Sequence, residues 1–259
     1  MAGIFRACFR QDLLPYTILG APGLENYLRD LITLQPRGGS SLFLVYERDG
    51  TAVGVAEFRR LPATIFLNHI YVLPSLRGQG VGKALLLAGI EATRDLEQQD
   101  FALDVFADNH PARRWYESLG LGFASEHFWI QLSLPSGAQS DNHWWTLLDL
   151  PQADRVQAAY GFSQFRLQTR SGTYSVGRIG DSLFRTTDPE LLDNSAALAA
   201  LSRLDDKRDL LLACEPEEWV EKAEQPGAIL ARSHRLTGTT AGVLSRLMES
   251  AATPEEGVE

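Results

Sequence analysis

Leu73-Pro74-Ser75-Leu76-Arg77-Gly78-Gln79-Gly80-Val81-Gly82-Lys83 sets how the first half of this chain is read, because three alternating glycines stand between a strand-like run and a helix-like one. Glycines at 78, 80 and 82 let successive backbone N–H groups turn toward one point. The helix that starts there adds its partial positive charge, so an anion can be held without a cage of lysines. Phosphate oxygens are the natural guests. A Rossmann dinucleotide site needs the spacing G-x-G-x-x-G and an acidic residue roughly 20 positions further on. The spacing here is G-x-G-x-G, so that reading fails. A Walker loop needs Gly-Lys-Ser or Gly-Lys-Thr, and Lys83 is followed by Ala84.

The elements around the loop follow from periodicity. Upstream, residues 65–72 read as a strand that ends at Pro74. Residues 42–47 and 51–59 are rich in apolar and β-branched side chains, and Arg48-Asp49-Gly50 between them supplies a hairpin turn. Residues 23–34 form an amphipathic helix with Leu24, Tyr27, Leu28 and Leu31 on one face, stopped by Pro36-Arg37-Gly38-Gly39. Downstream, residues 80–96 put Val81, Ala84, Leu85, Ala88, Ala92 and Leu96 on one stripe. A strand over 101–106, a short helix from Pro111 to Gly120 and a strand over 128–134 complete the first half. This order predicts an α/β fold, a mixed sheet flanked by helices.

Composition narrows the function classes. A formal charge of −9 with scattered arginines argues against a broad phosphate-binding surface, hence against a nucleic-acid partner. An acidic chain more readily accepts a cationic substrate such as an amine. Cys8 and Cys214 alone imply neither a disulfide framework nor a metal cluster, which suits a reducing cytoplasm. Arg6, Arg10 and Asp12 break any signal-peptide core, and no long uninterrupted apolar run follows, so no membrane association is expected. The five histidines never fall at metal-ligand spacing, and no G-x-S-x-G elbow is present, so no metal is expected.

The quoted loop resembles motif A of the GNAT superfamily of N-acetyltransferases, which runs Arg or Gln, two residues, Gly, one residue, then Gly or Ala. Arg77, Gly80 and Gly82 fit it. Ile70, Tyr71 and Val72, ahead of Leu73-Pro74, resemble the family's strand that splays to accept a pantetheine arm. Further on, Asn109, Ala112 and Tyr116, followed by Glu117-Ser118-Leu119-Gly120 and Phe123, are similar to the family's N-x-x-A-x-x-x-Y-E-x-x-G-F segment, with two extra residues before the phenylalanine. The resemblance covers about residues 40–132.

It implies acetyl-CoA as co-substrate, held by Ile70, Tyr71 and Val72, by Arg77, Gly78, Gln79, Gly80, Val81, Gly82 and Lys83, and by Asn109. It also implies direct attack on the thioester by a primary amine, of a small molecule or a protein, within a ternary complex. Tyr116 would be the general acid on the leaving thiolate. Asn109 would bind the cofactor or a water, and beside Pro111 it serves equally as a helix cap.

The base stays open. Amines of the lysine type lose their proton near pKa 10 and α-amino groups near about 8. Where some relatives carry a glutamate, nine residues ahead of the Arg, this chain has Asn68. That leaves His69, Glu57 or an ordered water chain. His69 has a suitable intrinsic pKa but alternates with Ile70 and Val72, which turns it from the site, and Glu57 reads equally as a solvated strand residue. A non-catalytic acyl-CoA-binding or sensing module is the alternative, and Tyr116 is the residue that separates the two. Monomer and homodimer are both open.

The second half repeats the first in outline. Residues 43–51 read FLVYERDGT and residues 165–173 read FRLQTRSGT. Strand-like 183–189, helix-like 190–204, strand-like 209–214 and helix-like 216–221 then follow the earlier order. No glycine loop follows Pro189, and Val220 stands where Tyr116 would be. The expected organisation is a catalytic GNAT-like domain over 1–135, a linker, and a second, smaller α/β unit over 143–248. That unit is either a degenerate GNAT-like repeat lacking the CoA loop or an unrelated accessory domain. A disordered acidic tail is expected over 249–259.

Overall fold

The fold is that of a computed structural model, which describes residues 1–34, 41–93, 99–135, 144–220 and 227–252. Two compact units emerge: Met1–Phe9, Arg29–Ser125 and Ser233–Glu259 form the first, Arg10–Leu28 and Glu126–Arg232 the second.

In the first unit, β1 (Ser41–Arg48) and β2 (Thr51–Arg60) form an antiparallel hairpin. Its turn uses Asp49 and Gly50 at φ 52 and 71, the paired positive φ that a tight hairpin requires. β3 (Thr64–Val72) runs antiparallel to β2, and β4 (Asp100–Phe106) is reached through α3 (Val81–Ala92) and lies parallel to β3. On the far side of β4 lies the last strand of the chain, β11 (Gly227–Thr239), whose residues Ser233 to Thr239 pair antiparallel with Phe106 to Asp100. Phe58, Ile65, Leu86, Ile90, Phe101 and Leu103 make the core. They are joined by Tyr116 and Leu119 of α4 (His110–Ser118) and by Val243 and Leu247 of α8 (Thr240–Ala252). Gly89 lets α3 lie close to the sheet, since a Cβ there would stand 2.1 Å from the Phe58 ring. A short helix, α1 (Ala2–Cys8), sets the Phe5 ring edge-on to His69 and Tyr71 of β3.

The second unit holds β5 (Gly122–Leu132) from Glu126 onward, then β6 (Trp145–Leu148), α5 (Leu150–Tyr160), β7 (Phe162–Thr169), β8 (Thr173–Ile179) and β9 (Leu183–Thr186). α6 (Ser195–Leu204), β10 (Asp209–Cys214) and α7 (Pro216–Val220) complete it. Its strand order is β5-β10-β9-β8-β7-β6, with β9 and β10 parallel and the other pairs antiparallel. Ile130, Phe165, Leu167, Phe184, Leu201, Leu210 and Leu212 fill the core. The first turn of α2 (Leu24–Leu34) belongs here, because Tyr27 packs edge-on to Tyr160 and Phe162.

The mixed α/β character agrees with the sequence reading, but the units do not divide at 135 and 143. β5 does not close the unit it follows: Phe128, Ile130 and Leu132 are buried in the second core, and β11 takes the place beside β4. Neighbouring elements usually pack together, and that rule misleads here. β5 also starts at Gly122 and ends at Leu132 instead of spanning 128–134. α8 continues to Ala252, inside the stretch read as a disordered tail; residues 253–259 lie outside the described residues. So do the helix stop at 36–39, the end of the helix read over 80–96, and the linker read over 135–141 apart from Pro135. The elements α1, β6, α5, β11 and α8 are additions to the sequence reading. Among the described residues no helix is long and apolar enough to cross a membrane, which leaves membrane-crossing strands unaddressed.

Candidate functional site

The site begins where two strands part. β3 and β4 pair from Thr64↔Asp100 to Leu67↔Leu103 and no further, although β3 runs on to Val72 and β4 to Phe106. At that point the register of β2 against β3 slips: Glu57 lies opposite His69 and Phe58 opposite Leu67, so Asn68 is an extra residue. Such a bulge bends a strand and re-aims its side chains. Leu67 and Ile70 both reach the core as a result, and Asn68 turns to donate to Glu57 Oε2 at 2.7 Å. Beyond the bulge, Ile70, Tyr71 and Val72 have no β4 partner among the described residues, which leaves an opening for an extended chain with amides of its own.

The glycine loop follows directly. A 3-10 turn, Pro74–Leu76, leads to Gly78 and Gly80 at φ 75 and 78, and Gly80 starts α3 with no side-chain cap. Gly82 sits inside the helix, so only two of the three glycines use the left-handed region. The backbone N–H groups from Gly78 to Lys83 find no acceptor among the described residues, and the first bond of the helix is Ala84 N–H to Gly80 O at 2.9 Å. A Cβ at 78 or 80 would meet nothing within 4 Å, so the space over these groups is open. The side chains are tied aside: Arg77 Nε donates to Val72 O at 3.2 Å, and Gln79 Nε2 donates to Ser75 O at 3.1 Å. Arg48 Nη1 donates to Gln79 Oε1 at 2.8 Å. A run of unpaired N–H groups at a helix start binds anions.

Glu57 is not a solvated strand residue. It is 5% exposed, and its carboxylate accepts from Ser41 Oγ at 3.0 Å, Arg59 Nε at 3.0 Å and Asn68 Nδ2 at 2.7 Å. Its Oε2 stands 3.9 Å from His69 Nε2. His69 lies on the sheet face opposite Ile70 and Val72, as alternation requires, between Phe5 and Tyr71. Burial pushes its pKa down to about 4, with the Glu57 charge pulling it up and Arg59 pulling it down. The imidazole is therefore neutral at neutral pH. Its Nδ1 is 3.5 Å from the Tyr71 hydroxyl. Burial raises the Tyr71 hydroxyl well above its ordinary value, and Tyr116, Cys8 and Glu57 act on it in the same direction.

Tyr116 is buried against the ring of Trp115, and burial raises its hydroxyl well above the ordinary phenol value. Asn109 caps α4, its Oδ1 accepting from Ala112 N–H at 3.3 Å. Phe123 is exposed and packs on His234, while Leu121 is buried in the core. The sequence reading did not find Ser41, Arg59 and Cys8. Cys8 Sγ donates to the same Val72 O as Arg77, at 3.7 Å. Burial raises the thiol pKa, and nearby Arg77 opposes that. Alternation could have flagged Ser41 and Arg59, which share a face with Glu57 across β1 and β2. Nothing in the sequence signals that Cys8 meets β3.

Residues 8–121 match the Acetyltransferase (GNAT) family. A mycothiol acetyltransferase of Thermomonospora curvata is 39% identical over 84 residues, 31% of this chain and 27% of that protein. An uncharacterized N-acetyltransferase of Archaeoglobus fulgidus is 30% identical over 105 residues, 38% of this chain and 69% of that one. Thus the match spans about a quarter of one relative's length and two thirds of the other's. A tandem GNAT protein from the clavulanic acid biosynthesis pathway, at 12% identity, shares the fold over 78% of this chain and 84% of its own, with a TM-score of 0.57. An unpaired glycine loop at a strand-to-helix junction, with this family match laid across it, establishes that the chain belongs to the GNAT family of acetyltransferases.

Proposed function

We propose that this protein transfers an acetyl group from acetyl-CoA to a primary amine, of a small molecule or a protein, by direct attack within a ternary complex. The observation that carries this is the meeting of two openings at one place: the stretch Ile70 to Val72, which has left its pairing with β4, and the N–H groups of Gly78 to Lys83 immediately after it, which find no acceptor among the described residues. The pantetheine arm lies along the first and the pyrophosphate sits in the second. Holding amine and thioester in contact lowers the barrier by about 7 kcal/mol or more when alignment is good.

Tyr116 stays protonated because its hydroxyl is buried. It supplies the hydrogen bond that grows as the departing sulfur gains charge, and finally the proton. On the acceptor side, His69 or Glu57, which stand 3.9 Å apart, takes through ordered water the proton that the amine loses as it attacks. Since His69 is a weak base, turnover rises with pH as more amine is free. Asn109 reaches the cofactor only through its Nδ2, because its Oδ1 caps α4. The second unit is a degenerate repeat of the first that binds no CoA.

Incubation of the protein with acetyl-CoA and a panel of amines and peptides, with detection of free thiol, tests the reading. Thiol release that depends on an acceptor supports it. Stabilisation by acetyl-CoA with no release for any acceptor would favour a sensing module.

A further inference from the structure

Arg48 lies outside the stretches that resemble the family's motifs. It ends β1 at the hairpin turn, and that turn reaches past the end of β3: the last pair of the β2/β3 ladder is Gly54↔Val72, while Arg48 pairs with Thr51 further out. The hairpin tip therefore stands beside the glycine loop, and Leu73 N–H bonds to Val53 O at 3.0 Å just below it. Arg48 Nη1 donates to Gln79 Oε1, and Gln79 is fixed in turn by its bond to Ser75 O. The backbone N–H of Gln79 is one of the unpaired groups from Gly78 to Lys83. A guanidinium is thus anchored by one of its five donors at the rim of the cradle, and its other donors have no partner among the described residues.

The charge of the guest matters. A pyrophosphate can be met by N–H groups and a helix start. CoA carries a third phosphate, a monoester on its ribose, whose higher charge neutral N–H groups do not match. Arg77 is engaged elsewhere, its Nε bound to Val72 O. Arg48 remains as a planar cation with a fork suited to phosphate, held in place before the ligand arrives.

We propose that Arg48, latched by Gln79, binds the 3′-phosphate of the CoA nucleotide and makes the protein discriminate CoA from 3′-dephospho-CoA. This rests on the reading of the loop as an acyl-CoA site. Calorimetric titration of the full-length protein with CoA and with 3′-dephospho-CoA tests it. The wild type should favour CoA by about tenfold, the effect of one charge-assisted contact at an exposed site. Arg48→Ala should lose that preference by weakening CoA alone, with an unchanged melting temperature. Arg48→Lys should retain part of it. Gln79→Ala, which keeps its backbone N–H, should lower the preference less than Arg48→Ala. Equal weakening of both nucleotides by Arg48→Ala, or no weakening of either, would overturn the proposal while leaving the acyl-CoA reading intact. Failure of the wild type to bind either nucleotide would remove that reading and this proposal with it.

Discussion

Removal of residues 233–259, by truncation after Arg232, should unfold the first unit although all of its loop and site residues remain. Leu236, Val243 and Leu247 are each 0 to 1% exposed and lie in the same core as Phe58, Phe101 and Tyr116. Complete burial of side chains of this size contributes about 1.5 to 3 kcal/mol each, so these three together provide about 5 to 9 kcal/mol. That is an upper figure, since an unfolded chain already hides part of its apolar surface. It is still comparable with the entire stability of a typical domain, about 5 to 15 kcal/mol. The truncation also strips β4 of its partner from Asp100 to Phe106 and leaves a bare strand edge, which favours association with other chains. Hydrogen exchange over β2 and β3 localises the effect to this unit: their protection should fall to near that of the unfolded chain, and addition of acetyl-CoA should not restore it. Leu247→Ala gives a graded version, with an expected loss of about 2 to 5 kcal/mol in urea unfolding. A truncated protein that stays monomeric, with native protection over β2 and β3, would refute the assignment of β11 and α8 to this unit.

Acetyl-CoA at 100 times its dissociation constant should stabilise the wild type by about 2.7 kcal/mol. Gly80→Asp, which sets a carboxylate in the open space over the N–H groups, should abolish the thermal shift, and a shift that survives would move the site elsewhere. Tyr116→Phe should keep acetyl-CoA affinity and lower turnover by roughly 100-fold; unchanged turnover would reduce Tyr116 to packing. For His69 the folded value near 4 lies below the ordinary 6.5, so at acid pH the unfolded chain takes up a proton that the folded chain refuses. The stabilisation is full above pH 6.5 and declines as pH falls toward 4, by about 3 kcal/mol at most because 21% of the side chain meets solvent. His69→Gln should flatten this part of the difference between urea midpoints at neutral and acid pH. A slope identical to that of the wild type would mean that His69 is not buried in its neutral form.

The sequence made the glycine loop legible because its determinants are local: a strand, two residues forced to positive φ and a helix start all lie within a dozen positions. The hairpins were legible for the same reason, and Phe43 and Phe165 are both buried where the two similar nonapeptides align. The exchange of last strands was not. β5 and β11 both carry alternating inward side chains, and alternation states which face is buried but not in which core. The solvated reading of Glu57 fails because a carboxylate on a strand carries no local sign of burial: its partners Ser41, Arg59 and Asn68 come from three strands. Asn68 donates there only because of a bulge, which leaves no mark in composition. α5 is different: Pro151 in its first turn and Gly161 just past its end, at φ 78, are ordinary boundary signals that the sequence does carry.

The two units differ at one junction, between β3 and α3 in the first and between β9 and α6 in the second. In the first, the parallel pairing of β3 with β4 stops at Leu67 and β3 continues unpaired to Val72. In the second, β9 pairs with β10 through Thr186, where β9 ends, so the strands never part. After β3 the chain turns through left-handed glycines into an uncapped helix. After β9 it passes through a 3-10 turn, Pro189–Asp193, that buries Leu191 and Leu192. It then enters α6 under a cap from Asn194, whose Oδ1 accepts from Ala197 N–H at 3.1 Å while its Nδ2 donates to Thr169 Oγ1 and the Tyr174 hydroxyl, both at 2.9 Å. A helix start satisfied by its own buried side chain has little left to offer an anion, whereas one without a cap keeps its N–H groups for a ligand. The same order of strands and helices thus comes with two different junctions, one left open among the described residues and one closed by the chain's own side chains.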